Sequence, residues 1–290
     1  MRIRSLITGL LLGTFAVAAN AQFNLNLNRL FDTAKNLGQA GTEINEQQEV
    51  EIGKEYASLL VGAAPLVDNA EVERYVNRVG RWVSVNSERP DLNWQFGVLD
   101  SANINAFATP GGFVFVTRGL LARLRNEGEL AGVLAHEIAH VVKKHHLAAL
   151  RKAAGMQAGA NILAEFVAQR GSNQMISDKL ISGMKEIMLR GLDKDDELEA
   201  DRMAVVLAAR AGYGPYGLPA TLQMLQSLNP EDSGLALLFA THPAPSVRLD
   251  ELERSMGTRL DRYAAQPEAA ERFARTMQGG QGAPAASQQK

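Results

Sequence analysis

His136-Glu137-Ile138-Ala139-His140 holds two of the five histidines of this 290-residue chain. A helix advances about 100° per residue, so imidazoles four positions apart stand on one face, about 40° from one another. Two so placed can share one divalent ion, and a glutamate beside the first can take a proton from water held there. Leu130, Val133, Leu134, Ile138, Ala139 and Val141 bury most of the surrounding helix. Asn126, with Glu129 three residues later, gives it a capping-box-like start. The pattern predicts an unbroken helix from Glu127 through at least Leu150.

A third donor has two sources in the sequence. His146 lies ten residues after His136, but that arrangement needs a helix-breaking glycine at position 143, which is Lys143 here. On a continuous helix His146 turns about 240° from His140 and His145 about 140°. Lys143-Lys144-His145-His146 therefore reads as a polar helix face. The donor is then expected from an acid on another helix. Asp193, Asp195, Asp196, Glu197, Glu199 and Asp201 crowd one stretch. Glu197 and Asp201 share a face with Ala200, Ala204 and Val205, whereas Glu199 turns about 200° away from Glu197. Glu197 reads as the ligand, and Asp201, one turn on, as the carboxylate that orients a ligand histidine through its free N–H.

Outside this helix the chain divides as follows. Met1-Arg2-Ile3-Arg4, the apolar run Leu6 to Ala18 and Ala19-Asn20-Ala21 form a secretory signal with cleavage expected after Ala21, at residues 1–21. Its loss leaves 28 basic against 32 acidic residues, a net charge of −4. A mildly acidic chain offers no electrostatic case for nucleic acid. With no cysteine there is no disulfide framework and no cysteine-linked lipid. No transmembrane segment is expected in the mature chain. Residues 22–45 read as a peripheral segment, 46–257 as the domain that carries the motif helix and 258–290 as an extension, disordered from about 279.

Within the domain, Glu46 to Leu60 and a stretch capped by Asp68 read as helices. Trp94, Phe96 and Val98, then Phe113, Phe115 and Thr117, alternate as strands, with Pro110-Gly111-Gly112 as the turn after Asn105-Ala106-Phe107-Ala108. Gln157 to Ala168, Ser177 to Leu189, Asp193 to Ala211, Leu218 to Leu228 and a segment from Ser246 to Met256 read as further helices. The class is α+β, mainly helical, with a small antiparallel or mixed sheet.

His136-Glu137-x-x-His140, then Glu197-x-x-Ala200-Asp201, then His242-Pro243 with Arg248, resembles the gluzincin zinc metallopeptidase family of the CAAX prenyl protease, HtpX and BepA. Asn105-Ala106-Phe107, the run Gly111 to Leu121 and Ala211-Gly212-Tyr213 are similar to that family too. The resemblance covers about Glu46 to Leu252. It is nearest to soluble periplasmic BepA-like or YcaL-like members, without the membrane spans or tetratricopeptide repeats of other members. It implies a zincin-like domain whose small sheet borders the motif helix by an edge strand. It implies one Zn2+ per chain on His136, His140 and Glu197, with Asp201 behind them and Glu137 as general base. It implies that Gly112, Phe113, Val114, Phe115 and Val116 form the edge on which an extended substrate pairs. It also places His242 near the metal, as a latch or an oxyanion partner. Arg248 is expected either to contact the reacting group or to pair with Asp250 or Glu251 on its own helix. The implied function is periplasmic endoproteolysis of misfolded or unassembled proteins, with outer-membrane assembly components as possible partners. The alternative is a chaperone-like binder of unfolded clients with rare or gated cleavage.

Overall fold

The computed structural model describes residues 44–157, 191–229 and 232–279. The signal segment, nearly all of the peripheral segment, the helices expected over Gln157 to Ala168 and Ser177 to Leu189, and the terminal tail lie outside them.

Helix α1 (Glu46–Ala63) opens on a complete capping box, in which Asn45 and Gln48 each accept the other's backbone N–H. Helix α2 (Ala70–Ser84) is capped by Asn69, one residue past the expected Asp68, and buries Val72, Tyr75, Val76, Val79 and Val83. Three short strands follow: β1 (Gln95–Leu99), β2 (Ala106–Thr109) and β3 (Phe113–Thr117). Pro110-Gly111-Gly112 turns β2 into β3, with φ of 76° at Gly111 and 95° at Gly112, where side chains would strain. The short α3 (Arg118–Leu121) leads to α4 (Glu127–Val142), the motif helix, followed by α5 (His145–Gln157). After the undescribed stretch come α6 (Lys194–Arg210), α7 (Gly217–Ser227), α8 (Ala236–Thr241), α9 (Pro245–Met256) and α10 (Ala270–Gly279). No described helix is long and apolar enough to cross a membrane.

The sheet is mixed, in the order β1-β3-β2. β3 runs parallel to β1, with Gln95 opposite Phe113, and antiparallel to β2, with Ala106 opposite Val116. The expectation that Gly112 to Val116 form a free edge therefore fails, because a strand paired on both sides has no backbone groups left for a third. The outer side of β1 is also engaged, by the Leu66–Leu99 bridge and the Val67 N–H bond to the Val98 carbonyl at 2.9 Å. Among the described residues β2 is the open edge, and it is the strand packed most extensively against α4.

The second departure is a break in the motif helix. Lys143 caps α4, Lys144 takes a left-handed backbone (φ 59°), and α5 starts afresh at His145. Such a conformation costs a non-glycine residue about 1–2 kcal/mol. It turns the chain so that Leu147 and Leu150 bury against Ile52 and Tyr56 of α1. Burying a leucine contributes roughly 1.5–3 kcal/mol, so two of them outweigh the strain. Lys143 and Lys144 stay exposed while His145 turns inward.

Part of the stretch expected as a C-terminal extension packs against the rest of the described residues. Phe273 of α10 is buried in the same core as Tyr75, with ring centroids 6.2 Å apart.

Candidate metal centre

Helix α4 is buried along nearly its whole length and packs most extensively against α6. This contact faces the motif histidines towards the acidic helix. His136 Nε2 lies 3.1 Å from His140 Nε2 and 3.6 Å from Glu197 Oε2, and His140 Nε2 lies 3.4 Å from Glu197 Oε1. Donors about 2.1 Å from a tetrahedral zinc stand roughly 3.4 Å from one another, and the three separations are of that size, the two histidines facing different oxygens of the Glu197 carboxylate. His136, Glu197 and His242 also offer ligand atoms within 4.8 Å of each other. His242 Nδ1 approaches Glu197 Oε2 to 2.7 Å, a hydrogen bond rather than a coordination edge. The donor set, two imidazoles and a carboxylate with a further imidazole beside them, fits a divalent ion of the zinc type.

Behind the donors stands a second layer. Asp201 Oδ1 is 2.9 Å from His136 Nδ1, where it fixes which nitrogen is left for a metal. Arg248, on α9, forks onto the same carboxylate at 2.8 and 2.6 Å. Its guanidinium is buried and also lies 3.3 Å from His136 Nδ1. Arg248 does not pair with Asp250 or Glu251: it binds Asp201, a residue of another helix, and it is not among the walls of the cavity described below. Glu199 turns away, as the helix wheel expects, and pairs with Lys143 at 2.6 Å.

The helix break brings two histidines to the site that the sequence placed on a solvated face. His145 Nδ1 lies 3.0 Å from His140 Nδ1, and His145 Nε2 is 3.4 Å from Glu199 Oε2. The ring of His146 stands 5.7 Å from that of His140. The available signal was the density of histidines after the motif; the break itself had no glycine to announce it.

Charge in this cluster is unevenly shared. Burial and the Arg248 guanidinium would press the His136 imidazole down, but Asp201 and Glu197 outweigh them and lift it to about 9. Burial pushes His140 well below the ordinary imidazole range and His146 down to about 4. Burial would raise Glu197, yet His242 and His140 hold it well below the carboxylate range. Asp201 is brought down to about 2, against burial, by Arg248 and His136. Glu137 moves the other way, raised by burial, which His136, His242 and Arg248 do not offset. A carboxyl raised in this manner is a stronger proton acceptor than one in water.

A cavity of about 50 Å3 opens beside these groups, walled by Ala106, Phe107 and Ala108 of β2, by Tyr56 of α1, and by Glu137, His146 and His242. Gly112 to Val116 are not among its walls. The site thus sets a histidine–carboxylate cluster, the buried carboxyl of Glu137 and the edge strand β2 side by side.

Residues 68–256 match the model of Peptidase family M48. The beta-barrel assembly-enhancing protease of Escherichia coli (strain K12) is 30% identical over 225 residues, covering 75% of this chain and 46% of that protein. Its counterpart in Yersinia pestis is 29% identical over 257 residues, covering 86% and 52%. The mitochondrial metalloendopeptidase OMA1 of Schizosaccharomyces pombe is 32% identical over 180 residues, covering 62% and 51%. The chain spans about half the length of these curated relatives. With a family match over most of its length and a mainly helical fold that sets two motif histidines against an acidic helix, the chain belongs to Peptidase family M48.

Proposed function

We propose that this protein is a zinc-dependent endopeptidase of unfolded or unassembled polypeptides in the periplasm. One observation carries the reading: His136, His140 and Glu197 stand at tetrahedral-edge distances beside Glu137 and an open strand edge. His136, His140 and Glu197 would hold one Zn2+ per chain. Bound zinc supplies Lewis-acid activation of water and of the scissile carbonyl. Glu137, its basicity raised by burial, takes the proton of the attacking water and delivers it to the leaving amine. Asp201, clamped by Arg248, keeps the His136 ring turned with Nε2 forward. β2 replaces β3 as the strand that receives substrate. The Thr117 N–H bond to the Asn105 carbonyl sets the alternation, so Ala106 and Ala108 turn their backbone groups away from β3. With the Ala106 N–H held by Asn105 Oδ1 at 2.9 Å, it is the Ala108 N–H and the two carbonyls that face outward for pairing. An extended peptide added there would lie along the cavity.

The catalytic unit is 46–257 together with α10, and residues 1–21 direct export. Names of relatives that refer to β-barrel assembly support outer-membrane proteins as substrates and assembly components as partners. A gated mode, closer to client binding than to free cleavage, draws support from His242: its contact with Glu197 covers one side of the donor cluster. Casein digestion tests the main reading. Wild type loaded with zinc should cleave, and Glu137→Gln should keep fold and zinc while losing cleavage. Retained cleavage in that variant removes Glu137 from its role, and full protection of aggregating clients by it favours the binding mode.

A further inference from the structure

Four buried side-chain atoms among the described residues have no hydrogen-bond partner: Tyr56 Oη, Asn105 Nδ2, His146 Nδ1 and Gln266 Oε1. Two of the four, Tyr56 Oη and His146 Nδ1, belong to residues that wall the cavity beside Glu137. Orphaned buried groups are rare, and each calls for a reason. For Tyr56 the ring is explained: it is 1% exposed and packed with Ile52 and Leu147 between α1 and α5. The hydroxyl is not, since phenylalanine would fill the same space without a stranded polar group. Burial pushes the phenol well above its ordinary range, so it remains a neutral donor. His146 reaches this wall only through the left-handed turn at Lys144.

An extended peptide paired with β2 satisfies half of its backbone groups there, because N–H and C=O alternate between the two sides of a strand. The other half, desolvated in the cavity, must find partners on the remaining walls. We propose that Tyr56 and His146 form a main-chain clamp, the Tyr56 hydroxyl donating to a backbone carbonyl of the bound polypeptide and His146 pairing with a neighbouring peptide group. In the free protein the cavity is roomy enough for one water to stand in for that carbonyl. The clamp recognises peptide backbone and not a particular side chain. It rests on the peptidase reading of this site, but binding can be measured without cleavage.

The test uses the full chain carrying Glu137→Gln, loaded with zinc, and fluorescein-labelled casein read by anisotropy. Adding Tyr56→Phe should weaken binding roughly tenfold, the worth of one hydrogen bond to substrate, with the melting temperature unchanged or raised. His146→Leu should weaken it similarly. In the Glu137 chain Tyr56→Phe should raise KM and leave kcat nearly intact, as lost uniform binding does. Unchanged affinity in both variants overturns the clamp and leaves a water-filled gap. So does a drop in melting temperature that accounts for the lost binding, or absence of casein binding by the parent chain. Weakened binding by Tyr56→Phe in a protein that never cleaves would keep the clamp and refute the peptidase reading.

Discussion

The two ends of the motif helix bury carboxylates in opposite ways. At its start Glu127 is fully answered: Tyr75 and Tyr213 donate to it at 2.5 and 2.6 Å, and Arg272 of α10 closes on both oxygens. Burial would raise Glu127, but Arg272 and the two tyrosines bring it below its ordinary value. At the other end Glu137 is raised by burial, which the nearby His136, His242 and Arg248 do not offset, and two polar atoms nearby have no partner. Satisfied polar networks hold a fold together, whereas groups left short of partners mark where a ligand completes the set. One helix thus carries an anchor at its N-terminus and a reactive centre near its C-terminus.

The comparison breaks if substitutions at the two ends have the same consequence. Glu137→Gln should cost about a thousandfold in casein cleavage, in the range of lost general-base catalysis, with unfolding by denaturant unaltered. Glu127→Ala should do the reverse. It strands an arginine and two tyrosine hydroxyls and should lower stability by about 3 kcal/mol in urea unfolding, with zinc content retained. Loss of zinc in Glu127→Ala, or loss of stability in Glu137→Gln, would merge the two ends.

Asp201→Asn probes the layer between them and should weaken zinc binding about 10–100-fold by competition with a chelator. The smallest effect is in pH. Because folding lowers Glu127 below its usual 4.5, its contribution is complete above that value and fades as pH falls through the lower folded one. The stability gap between wild type and Glu127→Gln should therefore narrow on acidification below about pH 4 and stay constant from there to neutrality. A gap that widens on acidification would contradict the anchor.

Much of the centre was legible because its geometry is local. His136 with His140, and Glu197 with Asp201, each obey the four-residue spacing of a helix, so one sequence shows which side chains share a face. The pairing of the two helices is not local. Arg248 reaches Asp201 across 47 positions, and its nearer acids Asp250 and Glu251 offered a plausible partner that packing did not use. The break at Lys144 was hidden because the left-handed residue is a lysine, stabilised by what Leu147 and Leu150 bury afterwards. Phe113-Val114-Phe115-Val116 is an unbroken apolar run, which marks β3 as covered on both faces but says nothing of which strands pair with its edges. Strand order itself depends on which neighbours pair, and alternation within one strand carries no information about that.

The convergence of His136, His140 and Glu197 on one cation is tested most directly by metal analysis of purified protein, wild type beside Glu197→Gln. The account predicts close to one zinc per chain in the wild type and a marked loss in the variant. Equal zinc in the two proteins, or none in the wild type after equilibration with the metal, would contradict it.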